Sequence, residues 1–242
     1  TIEGNSAQKE LTTAFLDLAK AWQKPDLLIV LGDATDGKQR KNSGVGVWST
    51  LYEDQVNAAA ELLRAYQASK YVIIRGTDYH VNNNGDPVEE DLAKLLAAEK
   101  LGSDEYTSTL KFILEAGDLR LHFAHHVPTS QTEWFLPTPG AKEGIRLQLQ
   151  WRKIGHIDAL FRGHNHYWWY QQGTTQHIVQ CPAWQLPTDF MHRRTGEPLT
   201  NIGAVRFRIT DAEDDFGQTL RVQPTIFQIA ASKTKRLKME LT

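Results

Sequence analysis

With one cysteine in 242 residues, the chain cannot form an internal disulfide, and its fold has to be held by packing and hydrogen bonds. The lone thiol, Cys181, fits a reducing compartment, and a cytoplasmic protein is expected. No apolar run approaches the roughly 20 residues that span a bilayer, and no signal-peptide pattern is visible, so no membrane partner is expected. An excess of one charge is also missing. Against 27 Lys and Arg stand 29 Asp and Glu, a net charge of −2, which argues against a broad basic surface for nucleic acid but leaves room for a local patch. Internal repeats and low-complexity linkers are absent. What the chain does have is nine histidines and seven tryptophans. The hydrophobic share of 40% and the charged share of 23% are those of an ordinary globular protein. Residues 1–242 are expected to form one domain. The first residue is Thr1, not a methionine, so the gene product is expected to begin further upstream.

Apolar residues at Leu11, Ala14, Phe15, Leu18 and Trp22 predict an amphipathic helix from Ser6 to Lys24. "LLIVLGD" (27–33) is a continuous aliphatic run of the kind that suits a parallel strand covered on both faces. A helix over 52–68 and a second buried strand, "YVIIRG" (71–76), follow, then an Asn- and Gly-rich loop. Pro87-Val88-Glu89-Glu90 opens another helix to about Lys100. Residues 110–126 read as a hairpin with Ala116-Gly117-Asp118 at its turn. A helix from Gly140 to Arg152 precedes the strand "IDALFRG". From about residue 167 the pattern is strand-rich, over 167–172, 175–180, 203–210 and 220–229. Alternating strands and helices followed by strands predict a layered α/β fold.

Several predicted strands end in metal-binding or acid–base side chains. These are Asp33, then Asp78 and His80, then His125 and His126, then His164 and His166. The carboxyl ends of strands in an open α/β sheet line one ligand crevice. A single histidine there is ordinarily a loop residue, but a His-x-His pair sets both rings on one side of an extended segment. Four strand ends finishing this way favour a metal site. Imidazole and carboxylate suit Mn, Fe, Ni or Zn, and one aspartate can bridge two ions about 3.5–4 Å apart. Trp168 and Trp169 read as core or cleft wall rather than as a nucleobase platform.

The order "GD", "GTDYH", "AHH" and "GHNH" resembles the calcineurin-like metallophosphoesterases. Gly-Thr-x-x-His in the third slot and Ala-His-His in the fourth are similar to phosphoesterases encoded by phages. The match covers about residues 27 to 166. The resemblance implies an αββα sandwich of two mostly covered mixed β-sheets flanked by helices. It also implies a phosphoesterase in which two divalent ions, manganese first among Mn, Fe, Ni and Zn, activate a water for attack on phosphorus. Asp33 matches the bridging carboxylate. His125 and His164 match ligands of the second ion, and His166 a ligand of the first.

Two departures qualify the match. Thr77 stands where an asparagine would ligate, and a hydroxyl is a poor substitute, so His80 is expected to take over as ligand or as the group contacting the leaving oxygen. Asp78 is a weaker candidate for that place. The opening Asp-x-His motif has no counterpart in "TIEGNSAQKE". Either it lies in a segment upstream of this sequence, the favoured explanation, or the site is reduced, with Asp33 and His166 too few to hold the first ion. Asp36 is a candidate for orienting a ligand from behind, and His126 for neutralising phosphoryl charge. Arg75 and Arg162 each precede a motif glycine and could reach a phosphate, although a surface ion pair is the plainer reading. The expected substrate is a phosphorylated small molecule or a nucleic acid, monoester or diester. The rivals are a nuclease, for which "GKQRKN" (37–42) and "MHRRTG" (191–196) would supply basic loops, and a catalytically reduced binding protein.

Overall fold

The aliphatic runs at 28–30 and 71–73 pair in parallel, Leu28 with Tyr71 and Val30 with Ile73, and the rest of the molecule is layered around them. The computed structural model describes residues 5–39, 44, 47–83, 86–103, 105–130, 132–188, 191–193, 199–211 and 218–229. The helices are α1 (Ser6–Ala21), α2 (Tyr52–Arg64), α3 (Asp78–Val81), α4 (Val88–Leu95), α5 (Thr138–Leu149) and α6 (Trp151–Ile154). The strands of the first half are β1 (Leu28–Val30), β2 (Tyr71–Ile73), β3 (Asn82–Asn83), β4 (Asp86–Pro87), β5 (Lys111–Ala116) and β6 (Leu119–Ala124). Those of the second half are β7 (Ala159–Arg162), β8 (Trp169–Gln172), β9 (His177–Gln180), β10 (Ile202–Asp211) and β11 (Gln218–Phe227).

Side-chain alternation along the strands decides the layers. Val30 and Ile73 face α2 and α4, where they pack with Val56, Ala60, Leu92 and Ala93. Ile29, Leu31 and Ile74 face the other way, into the core between the sheets. The second sheet is mixed, in the order β5-β6-β7-β9-β8. Leu121, Phe123, Phe161 and Val179 on its inner face meet Ile74 and the β10–β11 hairpin residues Val205, Phe207 and Leu220. Phe123 stacks on Phe112 at 5.0 Å and on Phe161 at 4.7 Å between ring centroids. The outer face sets Leu160 and Ile178 against Leu147 and Ile157, under α5 and α6. The result is a layered α/β fold, as the element order predicted, with mixed sheets flanked by helices, as the resemblance implied.

Trp168 packs into the inter-sheet core and Trp169 onto the α5 side, so both are wall residues. The predicted helices run shorter than expected. α1 begins on a capping box, in which the Asn5 side chain accepts from the Gln8 amide and Gln8 from the Asn5 amide, each at 2.9 Å. The expected loop after β2 holds the turn α3, because the Thr77 carbonyl accepts from the His80 and Val81 amides at 2.8 and 3.1 Å. No helix among the described residues is long and apolar enough to cross a membrane. The basic stretches 37–42 and 191–196 lie partly, and the C-terminal tail wholly, outside the described residues.

Candidate metal centre

Four strands deliver the site. β1 runs out into Gly32-Asp33, β2 into Gly76-Thr77, β6 into His125-His126 and β7 into Gly163-His164-Asn165-His166. β6 and β7 are parallel neighbours with Ala124 opposite Arg162, so His125 and His164 leave the sheet side by side. The first sheet closes on them where His125 Nδ1 meets the Leu31 carbonyl at 2.5 Å. That oxygen can only accept, so Nδ1 carries the hydrogen and Nε2 points at Asp33.

Asp33, Thr77, His125 and His164 converge. His125 Nε2 lies 3.1 Å from Asp33 Oδ2, 3.3 Å from Thr77 Oγ1 and 3.3 Å from His164 Nδ1. Thr77 Oγ1 is 3.2 Å from Asp33 Oδ2 and 3.4 Å from His164 Nδ1. Four donor atoms define six pairs, and these are five of them. With metal–ligand bonds of about 2.0–2.2 Å, ligands around one tetrahedral ion stand about 3.3–3.6 Å apart, and adjacent octahedral ligands about 3.0 Å. Each of these five contacts has the spacing of neighbouring ligands in a cation's donor set. His126 extends it, since the ligand atoms of His125, His126 and His164 all lie within 4.8 Å of one another.

The backbone supports a functional reading. Asp33, His164 and His166 have φ of +54°, +70° and +60°, a left-handed region that side chains other than glycine enter at a cost of about 1–2 kcal/mol. Gly76 permits the close approach: a Cβ there would stand 2.1 Å from Asp33 Oδ1 and 2.2 Å from its amide nitrogen.

Electrostatics prepare the donors. Burial opposes the Asp33 charge, but the hydrogen bond and charge of His125, the charge of His80 and the Thr77 amide outweigh it and hold the carboxyl at about 2. Burial lowers His125, yet Asp33 and the Leu31 carbonyl reverse this and raise it above its ordinary value. A cation would displace that Nε2 proton. Burial first, then the charges of His125 and His126, hold His164 down at about 4, so its ring is neutral with a lone pair to offer.

His166 is lowered by burial against the pull of Asp33, and its Nδ1 is buried with no hydrogen-bond partner among the described residues. Asp36 accepts from Gln185 Nε2 at 2.7 Å, and burial raises its carboxyl in spite of His80 and Gln185. His80 Nδ1 sits 3.0 Å from the Asp36 carbonyl oxygen. It is thus tied to the backbone, while the Thr77 hydroxyl, expected to be a poor substitute, stands among the donor atoms. His126 is exposed and stacks on the His164 ring at 5.2 Å. Asp78 is exposed, and its charge bears on His126.

The two arginines have different surroundings. Arg162 is 1% exposed and donates to the His122 and Phe161 carbonyls and to Glu143 Oε1 at 3.2, 2.9 and 3.2 Å. Arg75 lies over the Tyr106 ring at 5.2 Å.

Sequence reasoning missed Glu89. Its side chain is fully buried and accepts from the Ala34 amide at 3.1 Å and the Gly76 amide at 2.6 Å. Burial pushes its carboxyl up to about 7 against those two bonds. The available signal was an acid among the apolar positions of a predicted helix.

No protein-family profile matches the sequence, and no curated protein does. Among solved structures, the chain is similar to Vps29 of Entamoeba histolytica complexed with Zn2+, at 10% identity, 89% of each chain and a TM-score of 0.46. It is similar to Vps29 of Chaetomium thermophilum at 13% identity, 88% of each chain and a TM-score of 0.43. A predicted phosphoesterase of Streptococcus pneumoniae gives 10% identity over 88% of this chain and 91% of that one, with a TM-score of 0.35.

Proposed function

We propose that the chain is a metal-dependent phosphoesterase. The observation that carries the proposal is the set of five spacings, 3.1 to 3.4 Å, among Asp33 Oδ2, Thr77 Oγ1, His125 Nε2 and His164 Nδ1. Those four residues would hold one divalent ion, with manganese the first to test. Asp33 and His166, joined by Asp36, would hold a second and weaker one. Ions bound there would lower the pKa of a water and draw off the charge that builds on phosphoryl oxygens.

The chain's own groups do the rest. Asp33, ionised at any working pH, supplies the negative charge that attracts the cations. His164 stays neutral beside His125, so two adjacent imidazoles do not repel an ion. The water oxygen bonds to phosphorus as the ester P–O bond breaks, and the proton the leaving oxygen needs comes from solvent or an imidazole. His126 and His80 are the imidazoles at hand to donate a hydrogen bond to that oxygen or to the phosphoryl group.

The test is hydrolysis of a chromogenic phosphodiester and phosphomonoester by wild-type protein, Asp33→Ala and His164→Ala, each with Mn2+ present. Wild-type turnover at least a hundred times that of both variants supports the proposal. Equal rates in all three would remove it.

A further inference from the structure

Where a parallel ladder ends, backbone amides are left without strand partners. β1 and β2 stop pairing after Val30 and Ile73, where the Ile74 amide still donates to the Val30 carbonyl at 2.9 Å. Beyond that rung the ladder ends although the loops that carry Asp33 and Thr77 stay closely packed, and buried amides there need an acceptor from elsewhere. α4 supplies it. Glu89 Oε2 accepts from Gly76, the residue before Thr77, and Oε1 from Ala34, the residue after Asp33.

We propose that Glu89 is a positioning residue: one fully buried carboxylate, bonded to an amide of each loop, fixes the Asp33 and Thr77 oxygens in register for a cation. The inference rests on the metal-centre reading and adds a residue that touches neither ion nor substrate. A carboxylate suits the task because both oxygens accept, and both face N–H donors. A glutamine of the same shape would keep one acceptor and turn an NH2 toward the other amide. Asp33 is in turn bonded to the second loop through the Thr77 amide at 2.6 Å, so a shift of either loop moves two of the four donor atoms.

The adjacent residue provides a matched control. Glu90 is 5% exposed and accepts from the Thr107 and Ser108 amides at 3.0 and 2.8 Å and from the Ser108 hydroxyl at 2.9 Å. It bridges α4 to a loop that bears no metal-site residue. Glu90→Gln therefore disturbs a comparable buried network on the same helix.

The experiment compares wild type, Glu89→Gln, Glu89→Asp and Glu90→Gln in three readouts: Mn2+ affinity by titration of metal-free protein, thermal midpoint, and amide hydrogen exchange over 31–36 and 74–78 without metal. Glu89→Gln is expected to weaken Mn2+ binding at least tenfold and to speed exchange in both segments together. Glu90→Gln is expected to lower the midpoint as much while leaving Mn2+ affinity within twofold of wild type. Wild-type affinity in Glu89→Gln, or an equal loss in Glu90→Gln, overturns the proposal. If Glu89→Gln does not fold, Glu89→Asp, which keeps the charge but cannot span both amides, is held to the same outcomes. If wild-type protein takes up no Mn2+, the phosphoesterase reading falls, and exchange alone decides the clamp: joint acceleration of both loops supports it, and acceleration of one or neither overturns it.

Discussion

His125 Nε2 and His164 Nδ1 stand 3.3 Å apart across 39 positions of sequence. Two parallel strands bring them there, and each strand ends within two residues of its histidine. Both rings cannot carry charge at that distance without cost. The chain resolves this by raising His125 against Asp33 and holding His164 down at about 4 through burial and the neighbouring imidazoles. An uncharged imidazole beside a carboxylate-bound one is an arrangement that a divalent cation can complete.

The Thr77 hydroxyl contacts Asp33, His125 and His164. Thr77→Val keeps the shape and removes the oxygen. It should weaken Mn2+ binding by about 10–100-fold, while Thr77→Ser retains most of the affinity. Calorimetric titration of both variants checks this, and equal affinities would take the hydroxyl out of the site.

Gly76→Ala should also weaken binding. The added Cβ would fall 2.1 Å from Asp33 Oδ1 and 2.2 Å from the Asp33 amide nitrogen, and the second of these is backbone that cannot rotate away. A loss of Mn2+ affinity of at least about tenfold is expected, with a fold that still gives a cooperative melt. Retention of wild-type binding would show that the two loops are not packed as described.

Arg162 is expected to matter for folding and not for chemistry. Its guanidinium is 1% exposed and pairs with Glu143 at 3.2 Å. Glu143→Ala would strand that charge at a cost of about 3 kcal/mol, read as a drop in the urea midpoint. Turnover per folded molecule should not change. A selective loss of turnover would return Arg162 to the substrate.

His122 gives the fold an acid-side weakness. Burial first, then the charges of Arg162 and Lys111, lower its imidazole to about 3 from an ordinary 6.5. Between those values the unfolded chain binds a proton that the folded chain does not, so stability rises with pH and drains away as pH falls from 6.5 toward 3. From pH 7 to pH 5 this one group should cost about 2 kcal/mol. His122→Leu should lose that much less over the same interval in urea unfolding. Identical pH dependence in the two proteins would contradict the assignment.

Much of this was legible in the sequence for a simple reason. Aliphatic runs closed by glycine mark where a chain leaves a sheet, and Asp33, His164 and His166 sit just past such points, while His125 directly follows the strand that ends at Ala124. The alternating order of strands and helices carried the layer scheme as well. Thr77 was not legible, because a lone hydroxyl is a weak donor and only the folded geometry gives it three polar neighbours. His80 was expected in that place, as ligand or as the group contacting the leaving oxygen, being the chemically stronger side chain, and in the fold its Nδ1 stands 3.0 Å from the Asp36 carbonyl oxygen. Glu89 was hidden for the opposite reason. An acid in the first turn of a helix is what the helix dipole favours, and that ordinary role masked its place on the same face as Leu92, Ala93 and Leu96. Arg162 looked like a surface charge beside a glycine until the pairing of β7 with β6 and β9 enclosed it.

Cation binding by the four converging side chains is tested most directly by titrating metal-free protein with Mn2+ beside its His164→Ala variant. The account predicts at least one tight ion per wild-type chain and loss of that ion in the variant, with the melting profile otherwise kept. Saturating Mn2+ that leaves less than one ion per wild-type chain, or equal binding by the variant, would contradict it.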